Sequence, residues 1–193
     1  MAPARFKSSS KGFSLAEVVI SMGLLTAVSL GVAQLFAVST KANQVARGQT
    51  STTALAAEKM EQIRALTWGF DLDGLGLPVT DTTTNLARYP FTPDGNGLNP
   101  SPDRSLEENT AGYFDYLDAN GAWVGTGSRP ASAVFVRRWS IVPLPTNPNN
   151  TIVIKVLVSP VTNDVTQTVA AGGTRRRMPG DAMLTGVKTR KAS

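Results

Sequence analysis

The sequence predicts an α+β protein in which one long N-terminal helix packs by its outer half on an antiparallel β-sheet. Two features of the N-terminal third predict the helix: an apolar segment at residues 13–36, and a helical pattern without proline at residues 41–66. The C-terminal half adds segments of alternating apolar and polar side chains, which are typical of half-buried strands. A chain of 193 residues accommodates one domain with its own core plus an appendage.

Residues 1–12 form a basic N-terminal tip that contains Arg5, Lys7 and Lys11 and no acidic residue. The whole chain has a formal net charge of +5, and the remainder without this tip has 16 basic and 14 acidic residues, or +2. A basic tip before an apolar segment is typical of a targeting signal. We therefore expect residues 1–12 to be a leader peptide.

Residues 13–40 are predicted to form a half of the helix that spans a membrane or packs against other copies of itself, because their only charged side chain is Glu17. The 24 residues 13–36 would form a helix of about 36 Å at about 1.5 Å per residue. The hydrocarbon core of a bilayer is about 30 Å thick, so this segment is long enough to cross it. The basic tip indicates a cytoplasmic N-terminus.

Residues 41–68 are predicted to form an amphipathic half of the same helix. Side chains of modest apolarity recur at helical spacing, flanked by Lys59, Glu61 and Arg64; they are Val45, Thr52, Ala56, Met60, Ile63 and Thr67. We expect one continuous helix from about Ser14 to about Leu66, roughly 80 Å long. One small domain cannot bury so long a helix, so its first half requires lipid or other copies of itself.

Residues 69–193 are predicted to form a soluble, β-rich head, with a loop-rich insertion at residues 69–130. The predicted strands are Tyr113–Leu117, Ala122–Val124, Val134–Val142, Thr151–Val158, Asp164–Val169 and Met183–Val187. A tight turn at Asn120-Gly121 joins the first two. In Val134–Val142 the alternation places Phe135, Trp139 and Ile141 on one face together with Arg137. We expect Trp68 and Trp139 to be core residues.

The chain contains no His and no Cys, which excludes a Ser-His-Asp triad, a thiolate nucleophile and Cys-ligated zinc or iron–sulfur sites. Ser-Lys, carboxylate and oxygen-ligand metal chemistry stay open on these grounds, but we expect neither an enzyme nor a cofactor. Asp118-Ala119-Asn120-Gly121 supplies only part of a calcium-loop pattern, so we interpret it as a hairpin turn and predict no metal site.

The start of the apolar helix, Lys11-Gly12-Phe13-Ser14-Leu15-Ala16-Glu17, resembles the processing site of type IV prepilins and type II secretion pseudopilins. In that family a short basic leader ends in Gly, an aromatic or apolar residue follows, and a Glu lies four places beyond it. The resemblance implies a pilin-like fold, cleavage by prepilin peptidase between Gly12 and Phe13, and methylation of the new Phe13 amino group. It further implies that Glu17 forms a salt bridge with that amino group on a neighbouring subunit.

The resemblance also implies partners and a location. The partners are the prepilin peptidase, other pilins or pseudopilins in a filament, and inner-membrane lipid before assembly. The unassembled chain would cross the inner membrane once, with its head outside the cytoplasm. The assembled chain would be part of a pilus or a periplasmic pseudopilus.

Two departures from many major pilins narrow the resemblance: residues 13–66 contain no Pro, and no Cys is present to close a C-terminal disulfide loop. Ala65-Leu66-Thr67-Trp68-Gly69 and Arg137-Arg138-Trp139 are similar to PilV-type minor pilins. The sequence is thus interpreted as a minor pilin-like structural subunit of a type IV pilus, with a priming, tip or adhesion role. The alternatives are a type II secretion pseudopilin and a membrane-anchored binding or adhesion module that does not polymerise.

Two other hypotheses concern the ends of the chain. Gly31-Val32-Ala33 before Gln34 fits the cleavage site of an ordinary secretory signal, and this hypothesis leaves Glu17 unexplained. Near the C-terminus, Arg175, Arg176 and Arg177 form a basic cluster that can bind DNA phosphates, with further basic residues at Lys188, Arg190 and Lys191. The alternative is a solvated turn and tail, because no aromatic side chains alternate with these charges.

Overall fold

The structure is a computed structural model, and it describes residues 12–70, 77–82, 95–166 and 177–190. Within these ranges it contains two helices and seven strands. In chain order they are α1 (Leu15–Ala65), β1 (Trp68–Phe70), β2 (Pro78–Thr80), β3 (Phe114–Leu117), β4 (Trp123–Gly125), β5 (Phe135–Pro143), β6 (Thr151–Pro160), α2 (Val161–Thr166) and β7 (Ala182–Thr189). The predicted combination of a long apolar N-terminal helix and an antiparallel sheet is confirmed, and the fold is α+β.

Helix α1 is continuous from Leu15 to Ala65, within one residue of its predicted ends. Internal contacts divide the chain into two units, Met1–Gln44 and Val45–Ser193. We therefore treat α1 as a first segment, residues 15–44, and a second segment, residues 45–65. In the first segment, large apolar side chains are exposed on every side of the helix.

The second unit is built on a five-stranded antiparallel sheet with the strand order β4-β3-β5-β6-β7. Strands β5 and β6 form its longest pairing, from Phe135 opposite Pro160 to Pro143 opposite Ile152. Strands β3 and β4 form the predicted hairpin, with a register shift at Tyr116 and Leu117. A separate two-stranded ribbon pairs β1 with β2.

The main core lies between the second segment of α1 and one face of this sheet. The helix contributes Ala56, Met60 and Ile63, Leu66 follows directly after it, and the sheet contributes Trp139, Ile141, Ile152, Ile154, Val156 and Val158. Burial of these aliphatic and aromatic side chains fixes the helix on the sheet, since each large side chain removed from water contributes about 1.5–3 kcal/mol. Trp139 is therefore a core residue, as predicted, and the half-buried Trp68 packs against the same cluster.

A smaller cluster lies on the opposite face of the sheet. It is formed by Phe114, Tyr116, Ala133, Val136 and Val161, and the rings of Phe114 and Tyr116 meet edge to face at 5.7 Å between centroids. The predicted alternation along β5 is confirmed, because Trp139 and Val136 belong to the two different clusters. Both faces of the central strands are thus covered.

The predicted strand Asp164–Val169 is wrong where the structure describes it, since residues 161–166 form the short helix α2; residues 167–169 lie outside the described ranges. Side-chain contacts favour this turn over an extended strand. Arg138 Nη2 donates to Asp164 Oδ1 at 2.8 Å, and Asn163 Nδ2 donates to the carbonyl oxygen of Pro179 at 3.0 Å. The alternation of Val and polar residues there was therefore misleading.

The prediction of which side chains of α1 form its buried face is only partly confirmed. Thr52, Ala56, Met60 and Ile63 are buried as predicted, whereas Val45 and Thr67 are exposed. Lys59, predicted to flank the stripe, is among the buried residues of α1 and only 2% exposed. Its burial is explained by Asp115 on the opposing strand β3, whose carboxylate lies 3.5 Å from the Lys59 ammonium.

Candidate functional site

The predicted cleavage site lies immediately before α1. Gly12, Phe13 and Ser14 are not helical, and the backbone N–H of Val18 donates to the carbonyl oxygen of Ser14 at 3.2 Å in the first turn. The side chain of Phe13 is 84% exposed. The peptide bond between Gly12 and Phe13 is therefore in accessible, non-helical backbone, which is the form of chain that proteases cleave most readily.

Glu17 lies in the first turn of α1, and its side chain is exposed. A carboxylate there is favoured by the partial positive charge of the helix N-terminus. Within the described ranges, no hydrogen bond or ion pair of the Glu17 carboxylate is observed, so it can meet a partner outside this chain.

The first segment of α1 surrounds Glu17 with exposed apolar surface. An 18-residue window of the helix has a mean hydropathy of 2.0 and none of it is buried. In length and composition this helix can cross a membrane, a property that secretory signals share. The segment thus presents a single carboxylate, that of Glu17, in a surface that water solvates poorly.

A second group of charged residues is buried in the core of the second unit. Asp115 on β3 receives two hydrogen bonds from Arg137 on β5, at 2.9 Å from Nε to Oδ1 and 2.8 Å from Nη2 to Oδ2. Lys59 on α1 places its Nζ 3.5 Å from Oδ2 of the same carboxylate. Its Nζ also lies 3.9 Å from the ring centroid of Trp139. These three ionisable residues, which we name the charge cluster, link helix and sheet.

Burial and the neighbouring charges shift the pKa values of Lys59 and Asp115 in the charge cluster. Burial lowers the pKa of Lys59 to about 8, with Asp115 opposing the shift and Arg137 adding to it. Burial alone would raise the pKa of Asp115, but the Arg137 guanidinium and the Lys59 ammonium hold it below its usual value. Asp115 is thus a carboxylate at neutral pH, and the charge cluster contains two cations for one anion.

The sequence alone did not identify this cluster. Lys59 follows Ala56 by three residues and precedes Ile63 by four, which places it on the buried helical face. Asp115 stands within the otherwise apolar segment Tyr113–Leu117, and Arg137 lies beside Arg138 in a strand that is mostly apolar. Three charges on faces expected to be buried were the available signal, because buried charges require partners.

Of the basic residues near the C-terminus, Lys188 and Arg190 donate to groups of this chain. Lys188 Nζ donates to the carbonyl oxygens of Arg64 and Leu66 at the end of α1. Arg177 is exposed, and Arg175 and Arg176 lie outside the described residues, as does Lys191. Binding of DNA by Arg175, Arg176 and Arg177 stays a prediction.

Arg190 is held by backbone and aromatic groups. Its Nε donates to the carbonyl oxygen of Asn149 at 2.7 Å, and its Nη1 donates to those of Gly69 at 3.0 Å and Val79 at 3.1 Å. Its guanidinium lies 3.7 Å from the ring centroid of Trp68. Arg190 therefore fastens the β1–β2 ribbon to the end of β7.

The turn between β3 and β4 has the geometry of a plain hairpin. Asp118 Oδ1 accepts hydrogen bonds from the backbone N–H groups of Asn120 at 2.8 Å and Ala122 at 2.9 Å, and Gly121 has a φ of +81°. This carboxylate already satisfies the backbone of its own turn. Among the described residues, no group of three or more acidic, His or Cys side chains is arranged to hold a metal ion.

Comparisons of this chain with protein-family models, with curated proteins and with solved structures found no match. Its function must therefore be argued from its own residues.

Proposed function

We propose that this chain is a minor pilin-like structural subunit of a type IV pilus, matured by a prepilin peptidase and assembled through its N-terminal helix. One observation carries the proposal: the first segment of α1 exposes apolar side chains all round, and the only charged residue among residues 13–40 is Glu17, in the first turn of the helix. The sequence around Gly12 and Phe13 supports the same interpretation through its resemblance to prepilins.

In this proposal, cleavage after Gly12 creates an ammonium group on Phe13, four residues before Glu17. In a bundle of such helices, the Glu17 carboxylate meets the ammonium group of a neighbouring subunit. Two unit charges 4 Å apart attract by roughly 4 kcal/mol at an effective dielectric constant of about 20, before desolvation. An unpaired carboxylate in the bundle is penalised, so pairing favours one axial register.

The proposed location follows from the same features. The basic residues 1–12 remain in the cytoplasm, the first segment of α1 crosses the inner membrane, and the β-rich head lies outside the cytoplasm. Assembly transfers the first segment of α1 from lipid to the filament core, an environment of comparable apolarity. In this proposal, the head performs the priming, tip or adhesion role.

The decisive experiment determines the mature N-terminus by mass spectrometry after expression with a prepilin peptidase. We expect methylated Phe13 as the first residue. An N-terminus at Gln34 would identify an ordinary secretory signal and refute the proposal. Copurification with sheared surface fibres distinguishes a pilus subunit from a periplasmic pseudopilin and from an anchored module that does not polymerise.

The role of Glu17 is tested by Glu17→Gln, which keeps the shape of the side chain and removes its charge. We expect normal membrane insertion and at least a tenfold loss of incorporation into fibres, because the register-setting pair is gone and about 1.4 kcal/mol corresponds to a factor of ten. The matched control is Glu61→Gln in the second segment, whose side chain is 71% exposed and pairs with Arg64. Equal incorporation of both variants would contradict the assigned role.

A further inference from the structure

The charge cluster has more positive charge than its single carboxylate can balance. Arg137 engages both oxygens of Asp115 at 2.8–2.9 Å, whereas Lys59 reaches only Oδ2, at 3.5 Å. The two-point geometry makes the Arg137–Asp115 pair the stronger one. Lys59 is therefore the third, less tightly held ion, on the helix side of the interface.

The remaining surroundings of the Lys59 ammonium do not replace the water that burial removes. The face of Trp139 at 3.9 Å offers a cation–π contact. Among the described residues, the ionisable groups that influence Lys59 are Asp115 from β3, Arg137 from β5 and Glu58 from its own helix. Loss of one proton from Lys59 would leave the charge cluster with a balanced pair and a neutral amine.

We propose that Lys59 is a proton switch that sets how firmly the second segment of α1 is held on the sheet, the contact becoming stronger when Lys59 loses its proton. The guanidinium of Arg137 stays protonated throughout, because it does not lose its proton in proteins. Asp115 stays ionised in its pairing with Arg137. Within the charge cluster, only Lys59 changes charge as the pH rises above neutrality, and this inference does not depend on the proposed function.

The direction of the effect follows from proton linkage. Burial lowers the pKa of Lys59 from 10.5 to about 8 in the folded protein. Between these two values the unfolded chain binds the proton and the folded protein does not, so stability rises with pH. The penalty for burying the ammonium is fully present below pH 8 and is relieved progressively as the pH approaches 10.5. Ordinary exposed lysines titrate near pH 10.4 in both states and contribute no such slope.

The test uses the full-length chain in detergent micelles, unfolded by denaturant at pH 7, 8, 9 and 10 and followed by tryptophan fluorescence. The reference variant is Lys59→Met, which has no titrating group at this position. We expect the folding equilibrium constant of the wild type, relative to that of Lys59→Met, to rise about 50- to 100-fold between pH 7 and pH 10, given the pKa shift from 10.5 to about 8. Parallel pH profiles for the two proteins would overturn the proposal.

The matched control is Lys155→Met on β6, opposite Ser140, where the lysine is only partly buried. Its profile is expected to follow that of the wild type. Lys59→Arg keeps a charge at all these pH values, so it should show the flat profile of Lys59→Met at lower overall stability. A wild-type slope retained in Lys59→Arg would assign the effect to another group.

A direct measurement keeps the proposal testable even if a Lys59 variant fails to fold. In the wild-type chain labelled with ¹³C at lysine Cε, the Lys59 signal should titrate with a midpoint near 8. The signals of Lys41 and Lys155 serve as internal references; Lys188 does not, because burial lowers its pKa as well. A midpoint for Lys59 within half a pH unit of the exposed lysines would refute the switch.

Discussion

The two segments of α1 share one helical backbone and follow opposite rules of burial. In the first segment, Leu24 is 64% exposed and Leu35 is 71% exposed. In the second, Ile63 is fully buried, and most of the charged residues around it lie towards solvent. Both segments are helical, so the spacing of their apolar residues does not distinguish them. Their average hydropathy does: the more apolar first segment needs an apolar partner outside the chain, whereas the second packs on its own sheet.

The two segments also differ in how they accommodate a charge in an unusual place. Glu17 lies exposed among apolar side chains, without a salt bridge in the described part of the chain. Lys59 lies 2% exposed, with its counter-ion Asp115 supplied by the sheet. A charge within an apolar helical face thus indicates where a partner must be. For Lys59 this partner belongs to the same chain, and for Glu17 we propose that it belongs to another subunit.

The largest expected effect comes from removing the anion that makes burial of Lys59 possible. Asp115→Asn leaves the guanidinium of Arg137 and the ammonium of Lys59 buried without a counter-ion. We expect the free energy of unfolding of the second unit to fall by about 3–5 kcal/mol at pH 7, as for other broken buried ion pairs. Denaturant unfolding of the full-length chain in micelles measures this loss.

The control for this variant is the same substitution three residues further along, Asp118→Asn. Its side-chain oxygen still accepts from the backbone N–H groups of Asn120 and Ala122, so we expect a change of less than about 0.5 kcal/mol. Equal losses in the two variants would mean that the charge cluster does not stabilise the contact between helix and sheet. The contrast between the two segments of α1 would then be one of hydropathy alone.

The second-largest effect is expected from replacing a buried Ile by Ala in the second segment of α1, and the same replacement in the first segment serves as its comparison. Ile63→Ala removes a fully buried side chain from the core and should lower the free energy of unfolding by about 2–5 kcal/mol. Ile20→Ala removes a side chain that is 63% exposed, and we expect a change below about 0.5 kcal/mol in the same unfolding experiment. A comparable loss from Ile20→Ala would show that the head's stability depends on the first segment, contrary to the division described above.

The sequence predicted the elements whose pattern reflects burial directly. The ends of α1, the hairpin at Asp118–Gly121 and the long strands β5 and β6 agree with the prediction within two residues. In each case the apolar spacing or the turn chemistry at the position decides the local structure. The resemblance to prepilins identified Gly12, Phe13 and Glu17, and their roles await experiment.

Features that depend on contacts between distant residues could not be predicted in the same way. The helix α2 depends on side-chain bonds to Arg138 and Pro179, which are far from it in sequence. The β1–β2 ribbon depends on Arg190 from the end of the chain. The helical spacing places Lys59 on the buried face, but only the fold places its counter-ion Asp115 opposite it. Local propensity contains no information about these partners, so tertiary contacts override it.

The smallest expected effect concerns the place where the second segment of α1 ends. Lys188→Met keeps most of the aliphatic side chain and removes the ammonium that donates to the carbonyl oxygens of Arg64 and Leu66. These carbonyls have no partner within the helix, so we expect a loss of about 1 kcal/mol in stability. Amide hydrogen exchange in the last turn of α1 should become faster, while exchange in the first segment stays unchanged. Lys155→Met is the control, and equal exchange rates in both variants would show that water caps this helix end as effectively as Lys188 does.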